Sequence, residues 1–215
     1  MADVSWYWRK LVHLRSFLPR GTLEVAISGR KLQLNKVYML LLQQSKVRFA
    51  KVIWCSLSLL KHRFVLWQSV LGQLLTRDNL ILRQIPLDSP LCPFCEIDLE
   101  SHAHLFFHCL YSQQVLNKIA DWLGIAIWPS KFYDWITWMD GRPKGLSQQI
   151  FFVALAATVY FIWLNRNSCI FNYTVFSSNR ILCLIKASLK ARLLGFTRKK
   201  LGILEKNFLD SMDQL

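Results

Sequence analysis

Apolar residues recur at helical spacing along most of this chain, and only its first part alternates at the period of a strand. "SWYWRKLVHLRSF" opens as a short amphipathic segment that Pro19 and Gly21 end. Two short alternating runs around "SGR" (28–30) predict a small hairpin, and from Val37 the pattern turns helical. Phe49, Val52 and Ile53 begin one apolar face. "FVLWQSVLGQLL" (64–75) is apolar nearly all round and predicts a core helix. Thr76 is placed to cap a helix over "LILRQI", and Pro86 and Pro90 bracket a loop. A helix is expected from Cys109 to Trp122, followed by an aromatic connection from Trp128 to Trp138 and a break at "DGRPKG" (140–145). Two more helices are expected, over 148–165 and 178–196. The second has Ile181, Leu184, Ile185, Leu189 and Leu193 on one face, Lys186 and Lys190 on the other, and Arg192 out of pattern. The fold class expected is mostly α: a helical domain with a small cysteine-rich knuckle loop and one short N-terminal β-hairpin.

The apolar stretch "IFFVALAATVYFIWL" bears on whether the chain meets a membrane. Its fifteen uncharged residues fall short of the roughly twenty a spanning helix needs, so the reading is a buried helix and no membrane partner is expected. The opening "MADVSWYWRK" has no apolar signal core, so an intracellular location, nuclear or cytoplasmic, is expected.

Charge adds a candidate partner. With 27 Lys and Arg against 13 Asp and Glu, the net charge of +14 suits a polyanion, nucleic acid first. Between Glu24 and Asp78 there are nine basic residues and no acid. Residues 92–140 reverse the sign, and the tail to Lys206 is basic again. The candidate phosphate contacts are Lys46, Arg48, Lys51, Lys61, Arg63 and Arg77 in the first basic part, and Arg198, Lys199 and Lys200 in the tail.

"CPFCEIDLESHAHLFFHC" (92–109) gathers three of six cysteines and three of five histidines. The spacing Cys92-x2-Cys95-x8-His104-x4-Cys109 offers zinc a closed tetrahedron of three thiolates and one imidazole. His108 is an alternative fourth ligand, because His104 and His108 are separated like the closing pair of a two-histidine finger. Cys109 is preferred because a third cysteine otherwise has no role. "CPFC" as a redox pair would need a preceding strand, and "QIPLDSPL" is a proline-punctuated loop. Cys55, Cys169 and Cys183 are read as buried thiols.

"FVLWQSVLGQLLTRDNLILRQI", "LCPFC" and "ESHAHLFFHC" together resemble the zinc-binding domain that follows the reverse transcriptase in plant non-LTR (LINE-type) retrotransposons. The motif matches fall on Phe64, Leu66 and Trp67; on Leu75, Thr76, Arg77, Asp78 and Leu80; on Cys92, Pro93 and Cys95; and on Glu100, Ser101, His104, Leu105, Phe106 and Cys109. The resemblance implies one structural Zn2+ held by Cys92, Cys95, His104 and Cys109. It also implies a division into a polymerase-to-zinc-domain lead-in (1–48), the zinc-binding domain (49–125) and a helical region preceding a ribonuclease H domain (126–215). Where the family often has glycine after the second cysteine, this chain has Glu96, which is expected to strain the knuckle. No polymerase or ribonuclease H catalytic motif is seen. The function expected is therefore a non-catalytic zinc-binding module of a retrotransposon-derived protein, associating with nucleic acid through basic flanking helices. The competing reading is a scaffold remnant that meets a retroelement reverse transcriptase or ribonuclease H and binds no nucleic acid specifically.

Overall fold

A computed structural model describes residues 27–28, 31–33, 36, 49–125, 129, 131–141 and 145–193. The chain divides into two compact units, Met1–Arg48 and Phe49–Leu215. In the first, β1 (Ile27–Ser28) pairs antiparallel with β2 (Lys31–Leu32), setting Ile27 opposite Leu32 and Ser28 opposite Lys31. This is the hairpin the alternation predicts. The amphipathic start, the helical pattern after Val37, and Lys46, Arg48, Arg198, Lys199 and Lys200 lie outside the described residues.

The second unit is mostly helical. Its described helices are α1 (Ala50–Ile53), α2 (Leu60–Val70), α3 (Arg77–Leu82), α4 (Leu110–Leu123), α5 (Phe132–Asp140), α6 (Leu146–Asn172) and α7 (Ser178–Leu193). The axis of the core is α6, which buries every residue from Ile150 to Val159. It is long and apolar enough to cross a membrane by length and composition alone, yet most of its apolar window is buried inside the protein. It also runs seven residues beyond the predicted end at 165, because Asn165 and Arg166 are used inside the fold and do not mark its edge. α2 and α7 pack along it. From α7 come Ile181, Ile185, Leu189 and Leu193, the predicted stripe, with Leu184 half-buried at its edge.

Arg192, which breaks that stripe, has a task. Its Nε donates to the Leu57 carbonyl at 2.7 Å and its Nη2 to that of Ser56 at 3.2 Å. Arg63 reaches the same turn, donating to Ser58 O at 2.8 Å and Ser56 O at 3.2 Å. Two guanidinium groups thus satisfy three carbonyls that no helix or strand pairs.

Three expectations need correction. The stretch 64–75 is not a core helix throughout: α2 ends at Val70, Gly72 turns the chain at φ +65, and only His62, Leu66 and Ser69 of α2 are buried. The aromatic connection contains α5, whose Phe132 and Trp135 pack edge-on against Phe107 at 4.7 and 5.8 Å between centroids. Aromatic side chains are weak helix formers, so tertiary packing makes this helix. Of the three scattered cysteines only Cys55 is buried; Cys183 is exposed on the outer side of α7, and Cys169 is half-buried. His62 enters the core as a neutral ring tilted against Tyr160, 4.4 Å between centroids, its pKa pushed down to about 4 by burial and then by Lys61.

Candidate metal centre

The knuckle is built from a short turn and a widened one. Leu91 and Leu99 form an isolated antiparallel bridge, and between them Cys92 N–H donates to Asp98 O at 2.7 Å. Glu96 N–H donates to Cys92 O at 2.8 Å, closing the turn that carries Cys92 and Cys95. Glu96 sits at φ +54, the left-handed region, where an L side chain costs about 1 kcal/mol or more. The strain expected at this non-glycine position is present. Glu96 is exposed, so Glu96→Gly is expected to raise metal affinity by about fivefold, the equivalent of about 1 kcal/mol. Competition against a chelating dye, with wild type and variant side by side, checks this.

The second turn begins at Ser101, whose hydroxyl accepts His104 N–H at 3.1 Å. His104–His108 then winds as a π-helix, with Cys109 N–H donating to His104 O at 2.7 Å. Closure from residue i to i+5 brings Cys109, not His108, back over His104. His108 is exposed, and the groups brought together are Cys92, Cys95, His104 and Cys109. The Leu105 and Phe107 carbonyls accept from the side chains of Ser112 and Gln113, which anchors the π turn to the start of α4.

The four donor atoms lie within 4.8 Å of one another. Cys92 and Cys109 sulfurs are 3.8 Å apart, and Cys95 Sγ is 3.3 Å from His104 Nε2. A tetrahedral zinc with bonds of about 2.3 Å to sulfur and 2.0 Å to nitrogen needs edges of roughly 3.8 and 3.5 Å. Two of the quartet's edges are thus close to those lengths, and the set as a whole, within 4.8 Å, is gathered to about the size one such ion needs. Its protonation is also graded. The Cys92 thiol, donating to Cys109 and buried, is pushed up, while Cys109, accepting that bond, is held below the ordinary thiol range. Burial lowers the His104 pKa, which favours the neutral ring a metal requires. With Nε2 turned to the sulfurs, Nδ1 faces the Asp98 carboxylate at 3.7 Å, the side from which metal-binding imidazoles are commonly oriented.

Around the quartet lies a polar frame that pattern reading did not find. Glu100 is fully buried and bidentate to Arg166 of α6, at 2.7 Å to Nε and 2.6 Å to Nη2. Its Oε2 also accepts Arg77 N–H at 2.8 Å, so it does the capping expected of Thr76. Thr76 instead donates to Asp78 Oδ1 at 2.5 Å and lies 3.2 Å from His102 Nδ1. Leu74 N–H donates to His102 Nε2 at 3.1 Å, which leaves Nδ1 as the protonated nitrogen and a donor to Thr76. Cys169 Sγ donates to Pro93 O at 3.3 Å, a further tie between α6 and the knuckle. The signals for this frame were the motif matches at Thr76, Arg77, Asp78 and Glu100, to which spacing alone assigns no partner.

The candidate phosphate contacts separate by use. Lys51 and Lys61 are exposed, with Lys61 Nζ 5.1 Å over the Tyr160 ring. Arg63 is committed to the turn described above, and Arg77 Nη1 donates to Leu91 O at 2.5 Å, holding the knuckle.

Residues 33–115 match the family model described as zinc-binding in reverse transcriptase, which supports a zinc-binding domain of that kind in this part of the chain. No curated protein and no solved structure matches the chain.

Proposed function

We propose that the chain is a non-catalytic module derived from a plant LINE-type retrotransposon, in which one structural zinc fixes the knuckle and basic residues bind nucleic acid. The observation that carries the zinc assignment is the quartet of Cys92, Cys95, His104 and Cys109, whose four donors lie within 4.8 Å. Four protein ligands complete a tetrahedron and leave no position for a reacting water, so the ion orders the chain and does no chemistry. Cys92 and Cys95 would be held from the 91–99 turn, and His104 and Cys109 from the π turn.

Nucleic-acid binding is supported by the net charge of +14 and by the acid-free run from residue 25 to 77, where Lys51 and Lys61 stand exposed. Phosphate neutralisation releases counterions, so affinity falls steeply with salt. With about four phosphate contacts on a single strand, affinity is expected to drop roughly fiftyfold between about 50 and 200 mM salt. Anisotropy titrations of the zinc-loaded chain measure this slope. Salt-independent binding, or none at low salt, would favour a scaffold that docks through apolar surface.

A further inference from the structure

Helix α2 is turned with its more apolar face outward. At 3.6 residues per turn Leu60, Phe64, Trp67 and Leu71 align on one stripe, opposite His62, Leu66 and Ser69. The protein buries the second set against α6 and leaves Leu60 71 %, Phe64 49 % and Leu71 42 % exposed. Trp54, at the end of α1, is 48 % exposed and joins the stripe, with its ring 6.4 Å from that of Trp67. Phe64 lies 5.8 Å from Trp67, which is itself half-buried with its inner part against the core. Single exposed apolar residues are ordinary, but a contiguous aromatic patch marks a binding surface.

The charge beside the rings selects the occupant. Lys51 is exposed one helical turn before Trp54; Lys61, next to Leu60 in sequence, carries its ammonium 5.1 Å over the Tyr160 ring on the α6 side of the helix. No acidic residue occurs in the sequence from 25 to 77 to repel a polyanion. A paired duplex hides the faces of its bases, whereas an unpaired strand offers flat apolar rings on an anionic backbone. We infer that the Trp54–Trp67–Phe64 platform, with the exposed Lys51 one turn from Trp54, is a stacking site for unpaired bases of a nucleic-acid strand. This rests on the nucleic-acid reading above and adds to it the site and the kind of strand.

The test compares a labelled oligothymidylate with a blunt duplex of equal length, using the full zinc-loaded chain. The wild type is expected to bind the single strand more tightly. The double variant Trp54→Ala/Phe64→Ala is expected to lose about tenfold or more on the single strand, with duplex affinity and salt slope unchanged. Circular dichroism of the variant checks that it is folded. Lys51→Ala, at an exposed position, gives a second arm: it should weaken binding and reduce the single-strand salt slope by about 0.7. Unchanged single-strand affinity in the folded double variant overturns the stacking site and leaves the nucleic-acid reading standing. Equal wild-type affinity for duplex and single strand does the same. Failure of the wild type to bind either overturns both, and self-association abolished by the double variant would then identify a protein-docking face.

Discussion

Cys109→Ser is expected to abolish stoichiometric zinc binding, and His108→Ala to leave it intact. Wild-type protein purified under reducing conditions is expected to carry one zinc per chain, read by elemental analysis alongside native mass spectrometry. The two variants are decisive because spacing leaves both residues open as the fourth ligand. In an α-helix, His104 and His108 would share a face, as residues four apart do. Here the π turn closes from His104 to Cys109, and His108 points to solvent. The effect on stability should be large. Structural zinc contributes about 10–16 kcal/mol of apparent free energy in small finger peptides. In this chain none of the four ligands belongs to the apolar cluster around α6, though Leu105, Phe106 and Phe107 of the π turn do, so the loss falls first on the knuckle and its attachments. Chelation or Cys109→Ser should therefore expose the amides of residues 91–112 to hydrogen exchange while the centre of α6 stays protected. A reduced wild-type chain that takes up no zinc, or a His108→Ala variant that loses it, overturns the assignment.

What the sequence disclosed and what it hid follow from the range of the forces involved. Ligand types and spacing are local, so Cys92, Cys95 and His104 could be picked out without a structure, and so could the α7 stripe and the hairpin at 27–32. For the fourth ligand the sequence favoured Cys109 but spacing kept His108 open, because a π turn is a small departure from an α-helix that residue patterns do not signal. The burial of α2 was misread for a different reason. A helix apolar on both faces has no orientation in its pattern, and only packing against α6 decides that His62 goes inside and Phe64 outside. α5 was missed because its aromatic residues favour a helix only once Phe106 and Phe107 are there to receive them. The frame around Glu100 joins residues 66 positions apart, beyond the reach of any periodicity.

That frame makes Arg166→Leu the most damaging single change outside the quartet. Arg166 and Glu100 are both buried, and their bidentate pair is the charged link between α6 and the residues leading into the π turn. Removing one partner leaves an uncompensated charge in the interior, which typically costs about 3–5 kcal/mol. Here the cost should also reach α3, since Glu100 Oε2 accepts the Arg77 amide and Arg77 in turn holds the Leu91 carbonyl beside Cys92. The double variant Glu100→Gln/Arg166→Leu is expected to recover part of the loss, because an amide still accepts the Arg77 N–H without a stranded charge. Denaturant unfolding of wild type, single and double variants at fixed zinc concentration gives the coupling between the two side chains. Zinc affinity should follow stability in this series, weakening in Arg166→Leu although no ligand has changed. If Arg166→Leu unfolded at the wild-type denaturant concentration, the clamp would be incidental and the knuckle held by its own turns alone.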